Sequence, residues 1–331
     1  MDTESFPTAL ITGGSGFIGS NICAKLLEKN YQPVVFDAFI QYISPFESTY
    51  QKHLAFRFKN TKERVIFERG DTRDKGDVRR VILKHRPEII IHLAALPIAD
   101  LSFTHTEETV QSIINGTVNI LEVIRELDFI KRFVYASSSM VYGDFLKIPA
   151  PEDHPKAPKD IYGGTKLAGE ILTETYGRRF GIEYTIIRPS AVYGPTDVNR
   201  RVIQVFIENA LQGKKLVIRG DKSNLIDFTY VEDCANGFVL AALSENAVNQ
   251  AFNITRGQGR NLIEVADNLK AYFPEVEIEH QPMDKNRPLR GALSIQKAQD
   301  LLNYQPQISL EEGIIKYCEF YKKNAKFLTW H

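Results

Sequence analysis

The sequence predicts an α/β fold: a doubly wound parallel sheet joined to a smaller α/β unit that would hold substrate. Three observations predict it. Short apolar runs alternate with helical patterns over roughly the first 190 residues. The runs carry β-branched and aromatic residues without polar alternation, which suits parallel strands covered on both faces. A glycine-rich turn joins the first run to the first helical pattern.

The runs are TALITGG (8–14), PVVFDA (33–38), RVIFERGD (64–71), EIIIHLAA (88–95), RFVYASSS (132–139) and EYTIIRPS (183–190). Apolar residues at helical spacing lie between them, for example Ile18, Ile22 and Leu26, then Val78 and Ile82. After residue 190 the pattern changes. A helix is expected at 199–212, ending at Gly213, followed by a strand in KKLVIRGD. VEDCANGFVLAAL reads as a helix with an acidic first turn. AFNIT reads as a strand, NLIEVADNLKAYF as a helix, and 281–291 as loop. The tail 294–324 holds helical patterns broken at Pro306, and neither repeats nor a low-complexity linker separate the two parts.

Composition excludes several function classes. The 331 residues are 43% hydrophobic and 25% charged, with Lys+Arg and Asp+Glu equal at 41 each. That balance gives no global attraction for nucleic acid or an anionic membrane. No apolar run approaches the roughly 20 residues that cross a bilayer. The N-terminus lacks the basic start and apolar core of a signal peptide, so a cytoplasmic protein is expected. Cys23, Cys234 and Cys318 are widely spaced, read as buried thiols, and form no metal-binding pattern.

The glycine turn is Gly13-Gly14-Ser15-Gly16-Phe17-Ile18-Gly19. Glycines at 13, 16 and 19 allow a sharp turn and close backbone approach to a pyrophosphate. The helix opening at Phe17 and Ile18 then offers free N–H groups to that anion. Asp37 ends the second strand, 18 residues past Gly19, where a carboxylate accepts hydrogen bonds from the adenosine ribose. It would repel a 2′-phosphate, so NAD is expected rather than NADP. Asp71 and Thr72 follow the third strand, where adenine would be read. Leu93, Ala94 and Ala95 end the fourth and leave room for the cofactor; Ser137 and Pro189 occupy the equivalent ends of the fifth and sixth. His92 reads as a structural histidine.

Tyr162 and Lys166 stand four apart at the start of an expected helix over 162–178, hence on one face. A lysine and an oxidised nicotinamide both favour the phenolate, so Tyr162 is a candidate general base. The serines 137–139 sit at the carboxyl end of the fifth strand, where a hydroxyl can meet a bound ligand.

These segments resemble the extended short-chain dehydrogenase/reductase family, in its NAD-dependent sugar-nucleotide epimerase/dehydratase group. The resemblance spans TGGSGFIGS, the strand end at Asp37, GDTRD, HLAA, SSSMVYG, YGGTK, RPSAVYGP, DFTYVEDCA and YQPQISLEEGI. It implies a Rossmann domain of residues 1–189 plus about 225–256, and a sugar-nucleotide-binding domain of about 190–224 plus 257–331. It also implies a catalytic Ser138, and a homodimer through helices at 104–127 and 162–178.

Departures from the family narrow the reaction. The 4,6-dehydratases carry Asp and Glu after the catalytic Ser/Thr, where this chain has Ser139 and Met140. The arginine that many epimerases place before Asp-Phe is Ile226 here. Phosphate charge must then be met elsewhere, with Arg200, Arg201, Arg287 and Arg290 as candidates and Ser138 and Ser139 toward the sugar. The expected reaction is NAD-dependent oxidation of a nucleotide-sugar hydroxyl at C4, first as a 4-epimerase. A 4-dehydrogenase or reductase is the alternative; a 4,6-dehydratase and a non-catalytic NAD-binding protein rank below.

Overall fold

The computed structural model describes residues 6–40, 49–96, 99–282 and 288–328. The first part alternates β1 (Thr8–Thr12), α1 (Phe17–Glu28), β2 (Gln32–Asp37), α2 (Tyr50–Arg57), β3 (Ile66–Arg69), α3 (Lys75–His85) and β4 (Ile89–His92). Next come α4 (Ala99–Thr104), α5 (Thr106–Val110), α6 (Gly116–Ile124), β5 (Arg132–Ala136), α7 (Ile161–Phe180) and β6 (Tyr184–Pro189). The later elements are β7 (Val192–Tyr193), α8 (Val202–Leu211), β8 (Leu216–Arg219), β9 (Ile226–Asp227), β10 (Thr229–Tyr230), α9 (Val231–Leu243) and β11 (Gln250–Ile254). The chain then forms β12 (Gly259–Arg260), α10 (Leu262–Lys270), β13 (Ile278–Gln281), α11 (Gln296–Leu302) and α12 (Leu310–Leu328).

Seven strands form one parallel sheet in the order β11-β6-β5-β4-β1-β2-β3. The order reverses at β1, which lies between β2 and β4, so a crevice opens beyond the carboxyl ends of these strands. All six predicted runs are present as strands, and AFNIT supplies the seventh, paired with β6. Apolar clusters pack both faces. Ile22, Leu26, Cys234 and Phe238 lie in one; Val78, Ile82, Leu121 and Ile124 lie in the other. Each such side chain contributes about 1.5–3 kcal/mol through burial.

Burial on both faces fails at the sheet's edge. In β3, Ile66 and Phe67 are more than a third exposed, because no strand continues beyond them. Glu68 is instead the buried residue, bonded to Lys84 (2.6 Å), His85 (2.7 Å) and Arg80 (3.1 Å). Burial alone would raise its pKa, but these three partners hold it down at about 2.

A separate apolar cluster holds the later elements. Ile203, Phe206 and Ile207 of α8, Leu216 and Ile218 of β8, Val265 and Leu269 of α10, and Ile314 and Tyr317 of α12 meet there. β8 pairs in parallel with β13, a strand within a stretch the sequence did not single out. The expected helix over 104–127 is broken: α5 passes through a π-helical turn, Gln111–Asn115, into α6. Cys23, Cys234 and Cys318 are buried free thiols. Among the described residues, no helix is long and apolar enough to cross a membrane.

Candidate active site

A cleft of about 390 Å³ opens at the carboxyl ends of the central strands. Its floor is the glycine turn. Gly13 has φ +66°, a conformation that L side chains resist, and a Cβ there would lie 3.0 Å from the Ala94 nitrogen. A Cβ at Gly19 would lie 2.7 Å from the Gly13 oxygen. Both positions therefore keep the turn tight against the start of α1. Gly16, Phe17 and Ile18 continue this wall, and Leu93, Ala94 and Ala95 also line the cleft.

Asp37 lines the cleft at the end of β2. Its Oδ2 accepts from the Ser15 N–H (3.0 Å) and its Oδ1 from the Phe39 N–H (2.8 Å). The carboxylate is thereby fixed in place while keeping lone pairs for ribose hydroxyls. Asp71 and Thr72 also line the cleft. The Asp71 carboxylate accepts from Arg73 through Nε (2.9 Å) and Nη2 (2.6 Å). Burial works against its charge, but Arg73 prevails and holds its pKa below the usual carboxylate range. The glycine cradle, the anchored acid and the open strand ends fit an adenine dinucleotide.

Tyr162, Lys166, Ser137 and Pro189 line the same cleft, so the structure brings the candidate base and the cofactor residues together. Asp160 caps α7, accepting from the Gly163 N–H at 2.6 Å, and so sets where the helix begins. The Lys166 ammonium donates to the Ala136 carbonyl at 2.6 Å and lies 5.8 Å from the centre of the Tyr162 ring. One turn on, Glu170 accepts from Ser137 Oγ (2.5 Å) and takes both arms of the buried Arg188 guanidinium (2.8 and 2.7 Å). Arg188 also donates to Tyr142 Oη at 2.8 Å.

Electrostatics here run against simple expectation. Burial pulls Lys166 down to about 7, opposed by Glu170. Burial pushes Tyr162 up to about 12, and the group that pulls it back is Arg201, not Lys166. Desolvation dominates at the phenol, and Arg201 is the cation that favours its phenolate. Arg201 lines the cleft with Arg200 and is held by Asp197, whose two oxygens each lie 2.8 Å from its Nη1. Arg200 Nη1 stands 3.8 Å from Glu208.

Ser138, Ser139 and Arg290 do not line this cleft. Ser138 opens a short turn, Ser139–Tyr142, and its Oγ accepts from the Met140 N–H at 3.2 Å. That turn packs against the first turn of α7, where a Cβ on Gly163 would lie 2.7 Å from the Met140 oxygen. Ser139 is buried, and Arg290 Nη1 lies 3.4 Å from Met140 Sδ. Arg287 falls outside the described residues. His92 bonds Thr12 (2.7 Å) and Thr117 (3.1 Å) through its two ring nitrogens. Burial drops its pKa to about 3, as befits a structural histidine.

Sequence reasoning missed Tyr50 and Arg57 of α2 and Asn199 beside the arginines, all of which line the cleft. The apolar spacing of α2 is weak and no motif marks it.

The model of the NAD dependent epimerase/dehydratase family matches residues 9–255. An uncharacterised UDP-glucose epimerase of Bacillus subtilis is 32% identical, over 92% of this chain and 95% of that one. The dTDP-glucose 4,6-dehydratase of Haemophilus influenzae is 29% identical, over 96% and 98%. The UDP-glucuronic acid 4-epimerase of Bacillus cereus, solved with UDP-glucuronic acid and NAD, superposes with a TM-score of 0.87 at 28% identity, over 96% of this chain and 99% of that one.

Proposed function

Because the chain belongs to the NAD dependent epimerase/dehydratase family, we propose that it is a nucleotide-sugar 4-epimerase. It is an enzyme of the extended short-chain dehydrogenase type, and its cofactor is NAD. Bound NAD supplies a hydride acceptor that can return what it takes. Tyr162 takes the proton of the C4 hydroxyl; positioning of that hydroxyl is assigned to Ser138 on the family resemblance, next in sequence to the cleft-lining Ser137. Lys166, anchored on the Ala136 carbonyl, holds the cofactor ribose, while Arg200 and Arg201 meet the sugar-nucleotide pyrophosphate.

The observation that carries the reading is the placement of acids. Among the described residues lining the cleft, the carboxylates are Asp37 and Asp71, both at the adenosine end. Ser139 and Met140 offer no acid or base where a 4,6-dehydratase needs a pair to expel water. A keto intermediate is then left to accept hydride on its other face. A homodimer is part of the same proposal, supported by exposed Val110 and Ile171 on α5 and α7.

The test is incubation of the protein with UDP-glucose, UDP-glucuronic acid and their C4 epimers, each deuterated at C4. Interconversion with the label retained at C4 supports the epimerase. Accumulation of reduced nicotinamide, or of a 6-deoxy-4-keto product, overturns it.

A further inference from the structure

Arg57 joins two walls of the cleft that are far apart in sequence. It ends α2, between the second and third strands of the sheet. Its Nη1 donates to the Ser15 carbonyl at 2.9 Å, inside the glycine turn. Its Nη2 donates to the Thr196 carbonyl at 2.7 Å, in the segment that leads to Arg200 and Arg201. Tyr50 supports it: the phenol oxygen stands 3.1 Å from Ser15 Oγ, and the guanidinium lies 5.9 Å from the ring centre. The Arg57 Nε is buried with no hydrogen-bond partner among the described residues, so the two carbonyl bonds are kept at a desolvation cost. Burial lowers its pKa, yet an arginine keeps its charge throughout the ordinary pH range.

We infer that Arg57 is a cofactor-retention buckle: its two-carbonyl bridge holds the 196–201 segment against the glycine turn, and the cleft releases dinucleotide only when that bridge opens. Both bridged segments border the space that the cofactor would fill, and Arg57 lines it too. A planar guanidinium donates from two arms that diverge in a rigid fork, whereas an ammonium is a compact point donor. Charge and bridge can therefore be separated by substitution.

The inference rests on the NAD assignment above, and the experiment keeps the two distinguishable. Wild-type protein, Arg57→Lys and Arg57→Met are loaded with NADH and mixed with excess NAD, and the loss of bound-NADH fluorescence is timed. Failure of the wild type to bind NADH would remove the cofactor reading itself. With binding intact, both variants should release NADH about tenfold faster or more, the scale of one lost charge-assisted hydrogen bond. Release at the wild-type rate by either variant overturns the buckle; a slow Lys variant beside a fast Met variant would assign retention to charge alone. Thermal melting of cofactor-stripped protein confirms that each variant is folded, and the Lys variant carries the test if Met does not fold.

Discussion

The two sides of the cleft are built on different principles. The side assigned to the cofactor is mostly backbone, a glycine turn, a helix end and strand termini fixed by the parallel sheet, with the Asp37 carboxylate pinned to it by two N–H groups. The opposite side is made of long side chains on a connecting segment, with Arg200 and Arg201 held by Glu208 and Asp197. A backbone site restricts which residues can stand at each position. A side-chain site asks only that some arginine reach the right place. On the proposed reading, the first side fixes the cofactor and the second is where substrate choice can vary without disturbing the fold.

The largest test of this contrast is Tyr162→Phe. Turnover should fall about 10³-fold, the scale of a lost general base, while NADH binding is unchanged. Single-turnover kinetics and fluorescence titration would check both halves. A variant that lost binding as well would put Tyr162 on the structural side of the comparison.

Glu170→Gln should be next. It leaves the buried Arg188 without its carboxylate and should cost about 3–5 kcal/mol of stability by urea denaturation. The double variant Glu170→Gln/Arg188→Met should recover much of that loss. Recovery would show that the ion pair supports the catalytic helix rather than adding net stability.

Arg201→Met tests whether the variable side reaches into the chemistry. Removing the main group that opposes Tyr162's raised pKa should move the alkaline rise of turnover to higher pH and lower turnover about tenfold at neutral pH. An unchanged pH profile with a raised KM would confine Arg201 to binding phosphate.

The smallest effect is thermodynamic. Lys166 loses its proton near pH 7 in the folded protein and near 10.5 when unfolded. Between those values the unfolded chain binds the extra proton, so wild-type stability rises with pH; below about 7 the cost of burying the ammonium is present in full. The melting temperature of Lys166→Met, measured without cofactor, should exceed the wild type most at pH 6. The gap should narrow by about 2–4 °C by pH 9.

What the sequence made legible follows the same division. The strands were readable because their apolar runs have nowhere else to go, and Gly13, Asp37 and Lys166 because spacing fixes their geometry. Ile66 and Phe67 misled because a buried strand and an edge strand look alike until the neighbours are known. α2 was missed, and Arg57 with it, since it is short and weakly amphipathic. Arg201 was legible as a cation but not as the one acting on Tyr162, because that depends on α8 beginning immediately after it.

The ion cluster on β3 has a consequence for the molecule among its copies. An open sheet edge with exposed Ile66 and Phe67 is a template on which another strand can add, and such growth leads to aggregates. Glu68, with Arg80 and Lys84 paired to it, places charge on that edge strand, and a strand docking there would have to desolvate it. With its pKa near 2, Glu68 keeps that guard in place at any pH the folded protein would normally meet.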